Sequence, residues 1–312
     1  MKKIISLILA VSLCLSMSIT SVFAEENIQQ FTDMPDNWTT QALKNAVKNG
    51  LLNGADGKIM PDDNITRAQM AAIIVRAFGA KTEADLTPFS DVIKDKWYYG
   101  EFAKAVGMKV FAGNDDKKMN PDAFITYQEC FTVVARLFAL PNADISCLEK
   151  FDDYKNVDEW AKQNMANIVG YGYWNGIDNK LKPKDYITRS EFAVLMDNII
   201  KVYIDEPGVY NEQTDGNILI RSEGVVIDGL KTDDIIIVGD GVEGTIGLLN
   251  LDSTNFIIGR GGRLDVTGKI HNISALNPGV VLDISKITKR TGKFYLKAEK
   301  TELILGDFKA NI

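Results

Sequence analysis

Histidine is almost missing from this 312-residue chain: His271 stands alone. A His-rich metal centre is thereby excluded, and so is a Ser-His-Asp triad anywhere before that position. Cysteine is nearly as scarce, with three residues, one of which (Cys14) falls in the leader described below. Cys130 and Cys147 are too few for a disulfide-built scaffold, although as an exported pair they could form one bridge. Cys130 sits on the apolar stripe of an expected helix, which favours a buried thiol acting as a small hydrophobe. Beyond residue 24 no apolar run is long enough to span a bilayer. Positive charge is also in deficit, with 35 Lys and Arg against 42 Asp and Glu. An acidic chain has no general attraction for nucleic acid or anionic membrane, so an anionic ligand must be met by local cations. No cofactor-binding or metal-ligating spacing is present, and no catalytic constellation stands out.

What is there begins with a leader. Lys2 and Lys3 precede an apolar run from Ile4 to Ile19, and Val22-Phe23-Ala24 ends in a small residue before Glu25-Glu26. Residues 1–24 therefore read as a secretory signal peptide. Removing it takes two lysines and no acids, leaving 33 − 42 = −9. Export is expected, with no membrane span after cleavage.

The dominant pattern is a repeat. Ile65-Thr66-Arg67-Ala68-Gln69 returns as Ile125-Thr126-Tyr127-Gln128-Glu129 and as Ile187-Thr188-Arg189-Ser190-Glu191. The Thr-to-Thr intervals are 126 − 66 = 60 and 188 − 126 = 62 residues, which marks a tandem array. Each copy has the form Thr-x-x-Gln/Glu before an apolar run, a helix-opening capping box. The helices that follow carry Met70, Ile73, Ile74, Ala77 and Phe78; Cys130, Val133, Val134, Leu137 and Phe138; Phe192, Leu195, Met196, Ile199 and Ile200. That spacing puts one apolar face on each. A shorter helix precedes each box and starts near Trp38, Trp97 or Trp160. The units span 31–79, 89–140 and 151–204. One helix pair of this size cannot bury its own apolar faces. The capped helices are expected to line a common centre, with the preceding helices outside.

Thr66, Thr126 and Thr188, with Gln69, Glu129 and Glu191, are explained by capping alone. Arg67 and Arg189 are not. A cation in the first helical turn is mildly disfavoured by the dipole, so both look surplus to the cap unless an anion lies there. The alternative is an ion pair with Asp33, Asp91 or Asp153, which open the three units in Phe31-Thr32-Asp33, Phe89-Ser90-Asp91 and Phe151-Asp152-Asp153. The tryptophans can be core, or can stack on a sugar ring whose hydroxyls an aspartate accepts.

Phe89-Ser90-Asp91-Val92, Trp97-Tyr98, the Gly54-to-Pro61 turn and Ile-Thr-Arg-x-Glu/Gln together resemble the S-layer homology domain, over residues 31 to about 203. The resemblance implies a pseudo-threefold prism around a central three-helix bundle. It implies non-covalent anchoring to a bacterial secondary cell wall polysaccharide, often through a pyruvylated sugar, and a cell-wall or S-layer location with other surface-layer proteins as further partners. By resemblance the polymer-binding residues are Arg67, Arg189, Asp33, Asp91, Asp153, Trp38 and Trp97. Trp160 lies one residue further from its Phe and departs from the pattern. Tyr127 departs too: its groove is expected to bind nothing, or a neutral sugar stacked on the tyrosine.

Residues 205–312 read differently. Short apolar runs such as Ile218–Ile220, Ile235–Val238 and Leu264–Val266 recur every nine or ten residues between Gly, Asn and Asp. This is an all-β pattern; even spacing and glycine corners favour a short β-solenoid of about three turns over a small sandwich. The whole is thus an α + β multidomain chain. Gly259-Arg260-Gly261-Gly262 reads as a turn. Asp252, Asp265 and Asp283 are the carboxylates that an alternative function, a wall-tethered polysaccharide-active enzyme, would draw on.

Overall fold

The computed structural model describes residues 31–311, apart from 115, 140, 291, 298, 306 and 307; the expected signal peptide lies outside the described residues. Among the described residues six α-helices come first: α1 Thr40–Lys48, α2 Arg67–Phe78, α3 Tyr99–Gly107, α4 Tyr127–Phe138, α5 Glu159–Gly170 and α6 Arg189–Ile199. Helices α2, α4 and α6 each open on a complete capping box. Their side chains are buried almost all round, whereas α1 buries only Ala42, Leu43 and Ala46. The capped helices are therefore the centre and the others the outside, as the periodicity predicts.

The units exchange partners in a cycle. Outer helix α3 of the second unit packs on α2 of the first, α5 of the third on α4 of the second, and α1 of the first on α6 of the third. Three backbone hydrogen bonds close the ring: Ile125 N–H to Ile65 O at 3.1 Å, Ile187 N–H to Ile125 O at 3.1 Å, and Ile65 N–H to Ile187 O at 3.0 Å. Each of these isoleucines is fully buried. No unit can form its core alone, because its outer helix covers another unit's inner one.

Eleven strands follow: β1 Val202–Ile204, β2 Gly208–Tyr210, β3 Ile218–Ile220, β4 Val225–Asp228, β5 Ile235–Val238, β6 Thr245–Gly259, β7 Arg263–Ala275, β8 Val281–Arg290, β9 Phe294–Leu296, β10 Glu302–Leu305 and β11 Phe308–Asn311. Except for the closing β10–β11 pair, all pairing is parallel. Like residues stack turn on turn: Ile218, Ile236, Ile257 and Ile273 form one ladder, and Ile246, Leu264, Leu282 and Leu303 another. This is the solenoid, with about 5 turns rather than three. The spacing of nine or ten residues counts strands, and each turn has two. Strand β1 begins at Val202, so the solenoid starts before Asp205.

The strands β3 and β5 are buried along their full length. One face of their ladder lines the solenoid core; the other, with Leu219, Ile237 and Ile258, joins the apolar cluster of the helical domain. Polar groups then finish the helix ends. Arg260 is 2% exposed; it donates to the Leu137 and Met108 carbonyls at 2.9 Å each and pairs with buried Asp240 at 2.6 Å. Arg221 donates to Asn49 O at 2.9 Å, and Asn217 to Ile199 O at 2.7 Å. Helix C-termini lack donors and carry negative dipole ends, so these partners suit them. Gly241 permits the approach: a Cβ there would lie 2.1 Å from Gly79 O. The Gly259–Gly262 stretch is a turn, as expected, but its arginine joins the two domains.

Candidate functional site

Each unit contributes one wall of a groove through its opening motif. The Phe31, Phe89 and Phe151 rings lie against Gly54, Gly113 and Gly176; a Cβ on Gly113 would stand 2.5 Å from Phe89 Cε1. Two residues on, the aspartate clamps the turn that follows. Asp33 accepts from Ile59 and Met60 N–H at 2.8 Å each, Asp91 from Met119 and Asn120 at 2.9 and 2.7 Å, and Asp153 from Leu181 and Lys182 at 2.8 Å each. Met60, Asn120 and Lys182 all have positive φ (54°, 49° and 52°), so the carboxylate holds a backbone that L-residues disfavour. Burial works against the charge on Asp33, but the two amides outweigh it and hold its carboxyl below the usual range. All three aspartates thus have a structural task behind the groove wall.

The arginines also have partners. The first two amides of α2 donate to Ala123 O and Pro121 O, those of α4 to Asp185 O and Pro183 O, and those of α6 to Asp63 O and Pro61 O. The helix N-termini are therefore closed by the next unit's proline turn, and they are not open anion sites. Arg67 Nε donates to Met119 O at 2.7 Å and Arg189 Nε to Ile59 O at 2.9 Å. Each guanidinium stitches its helix to the turn that the neighbouring aspartate clamps. Neither is surplus, and neither is ion-paired with Asp33, Asp91 or Asp153. Arg67 pairs instead with Glu129 at 3.6 Å and lies over the Phe111 ring. Burial pushes both guanidinium pKa values down, and neighbouring acids push them back up.

A cavity of about 550 Å³ opens where Arg67 meets the second unit. Asn114, Lys118, Asn120, Glu129, Arg136 and Trp160 line it with Arg67. Cations, amides and an indole in one groove can grip an acidic sugar: charge-assisted bonds take the anion, and the ring face covers the pyranose. Trp160 comes from α5, which packs on α4. The same cyclic pairing assigns Trp97 to the Arg189 groove and Trp38 to the Tyr127 groove. All three indoles are more than half exposed, at 59, 62 and 54% for Trp38, Trp97 and Trp160.

The sequence gives no sign of Arg136 as a groove residue, and its spacing from Phe151 sets Trp160 apart from the other two tryptophans. Counted back from the turn glycine, Trp160 is in register, since 54 − 38, 113 − 97 and 176 − 160 all equal 16. Arg136 has its counterparts in Arg76 and Asn198. In the third groove Tyr127 is buried against Phe131 and Trp174, with ring centroids at 5.9 and 5.6 Å. Its hydroxyl faces Glu191, and burial followed by that carboxylate raises its pKa. A side chain enclosed in this way offers no face to a sugar, so stacking on Tyr127 is ruled out.

The solenoid carboxylates are engaged in pairs. Asp265 and Asp283 both meet Arg263, at 2.7 and 2.6 Å, and Asp252 meets Lys269 at 3.0 Å. Lys269 holds the Asp252 carboxyl below the usual range, and Asp283 is held low although burial opposes it. Neither has the raised pKa of a general acid. Among the described residues no group of His, Cys, Asp and Glu could hold a metal ion. Cys130 and Cys147 are both free, which is the reading the apolar stripe favoured.

A family model described as "S-layer homology domain" matches residues 30–71, 88–129 and 150–193. Similar proteins include the "Middle cell wall protein" of Brevibacillus brevis, 32% identical over 66% of this chain and 19% of its own length. The "Surface-layer 125 kDa protein" of Lysinibacillus sphaericus is 30% identical over 53% of this chain and 14% of its own. The "Exoglucanase XynX" of Acetivibrio thermocellus is 28% identical over 55% and 16%. The chain thus spans less than a fifth of each of these relatives.

Proposed function

Because residues 30–193 carry three tandem S-layer homology domains, we propose that they hold this chain non-covalently at the bacterial cell wall by taking an anionic, pyruvylated secondary wall polymer into their grooves. The family and the cell-wall and surface-layer relatives support a location at the wall or cell surface. The observation that carries the finer reading is the Arg67 groove, where Arg67, Arg136 and Lys118 face one cavity with Trp160. Arg67 and Arg189 act twice, as stitches between units and as the cations that meet the pyruvyl carboxylate. Trp160, Trp97 and Trp38 are the ring-stacking walls. The solenoid, fastened to the helix ends, is the module put on display, with a structural or adhesive role.

The test is co-sedimentation of the mature chain with purified cell walls, before and after mild acid removes the pyruvyl ketals. Binding is expected to fall on depyruvylation. Trp160→Ala with Arg136→Gln should weaken it about thirtyfold, the loss of one stacking contact and of one charged contact each costing about 1 kcal/mol. Arg67→Ala is a poorer probe, since it also removes the bond to Met119 O. Undiminished sedimentation on depyruvylated walls would sink the charge-recognition reading.

A further inference from the structure

The three grooves are built alike but are not charged alike. In each unit the last residue of the capping box takes the same pose: Gln69 accepts from Thr66 N–H at 2.9 Å, Glu129 from Thr126 at 2.9 Å and Glu191 from Thr188 at 2.8 Å. The cyclic order turns each toward the first helical residue of the preceding unit. Glu129 thereby meets Arg67, and Glu191 meets Tyr127. Gln69 is the counterpart in the Arg189 groove, and it carries no charge.

The second cation follows the same order. Arg76 and Arg136 occupy corresponding positions on α2 and α4, and Asn198 takes that place on α6. Arg76 donates to Leu51 O at 3.0 Å and Asn198 to Tyr173 O at 3.1 Å, equivalent carbonyls in their units. Arg76 stands close enough to Arg189 to work against its charge. Lys58, Lys118 and Lys180 are matched and do not distinguish the grooves. The balance is therefore Arg189, Arg76 and Lys58 against Gln69; Arg67, Arg136 and Lys118 against Glu129; and, with Lys182 where the Arg67 groove has Asn120, Lys180 and Lys182 against Glu191.

Arg189 is 7% exposed and carries its charge without a carboxylate at ion-pairing distance among the described residues. Asp33, which favours its charge from further off, is engaged by the amides of Ile59 and Met60, and Asp63 favours it without pairing. A buried guanidinium held only by carbonyls is under-compensated. An anion that completes it gains more than one that must compete with a resident glutamate.

We infer that the Arg189 groove is the principal site for the anionic sugar, the Arg67 groove a weaker second site, and Gln69 the residue that sets this order. The inference rests on the proposed recognition of a carboxylated sugar and assigns it to a groove. The Tyr127 groove has Glu191 and no arginine, and so offers the same group no guanidinium.

The experiment titrates the full mature chain with a methyl hexopyranoside bearing one pyruvate ketal, with the unmodified methyl hexopyranoside as control. Gln69→Glu is the variant, since Glu129 and Glu191 show that glutamate completes the cap equally well. Its melting should equal or exceed the parent's, since the new carboxylate compensates Arg189, while the tighter binding phase weakens about tenfold. Glu129→Gln should strengthen the weaker phase. If the parent binds the ketal and Gln69→Glu binds it as tightly, the assignment is overturned while wall anchoring stands. If the parent fails to bind the ketal, the carboxylate reading falls and this inference with it.

Discussion

Removing the Arg260 side chain should uncouple the two domains. In Arg260→Ala, Asp240 loses its ion pair at a site where its side chain is 5% exposed. The carbonyls of Leu137 and Met108 lose their donors at the same time. Breaking a buried pair by removing one partner costs about 3–5 kcal/mol. With a urea dependence of about 3 kcal/mol per molar for a chain of this size, the midpoint should fall by about 1 M or more. Equilibrium urea unfolding, followed by far-UV ellipticity and by tryptophan fluorescence, measures this. All the tryptophans lie in the helical region and the strands dominate the rest, so separated transitions would report separated domains. The parent should unfold with coincident transitions, because one apolar cluster runs from α2 and α4 into β3, β5 and β6. Arg260→Leu combined with Asp240→Leu should recover much of the loss, since it leaves no unpaired charge. A midpoint shift below about 0.3 M for Arg260→Ala would refute the claim that this residue welds the domains.

Two further outcomes follow from the repeat motif. Gly113→Ala puts a Cβ 2.5 Å from the Phe89 ring and should destabilise the chain by about 1–3 kcal/mol, read from thermal melting. Asp33 has a depressed pKa in the folded chain, so its stabilising effect is present above the unfolded carboxyl pKa and is lost as pH falls through the lower folded value. Asp33→Asn should therefore flatten the acid limb of a stability–pH curve, and hydrogen exchange at Ile59 and Met60 should speed up in the variant at neutral pH.

The helical fold was legible because its determinants are local. A capping box and an apolar stripe lie within a dozen residues, and their recurrence at fixed spacing shows that they share one core. The partner exchange, in which α3 covers α2, was not legible, because nothing in the order of units says which neighbour an outer helix meets. The site was half legible. Arg67 and Arg189 stood out as cations in an unfavourable place, but their carbonyl partners lie 52 and 130 residues away. Asp33, Asp91 and Asp153 drew attention as polar repeats, yet amides 26 to 29 residues on take up their oxygens. The docking of the solenoid did leave a trace. Ile235–Val238 is apolar without alternation, the mark of a strand covered on both faces. Arg260 left none, since a turn arginine looks the same whether it meets water or two helix ends.

The capping of helix ends by the solenoid decides how a pull would travel. Its side chains hold α1 at Asn49, α3 and α4 at Met108 and Leu137, and α6 at Ile199. These helices come from all three units. Tension on the C-terminal domain therefore enters the prism in parallel and does not run through the short link between Ile199 and Val202. On the proposed anchoring, such a load reaches the Arg67 and Arg189 grooves together. A chain joined by a flexible tether would load its third unit first; these four attachments spread the pull over all three units.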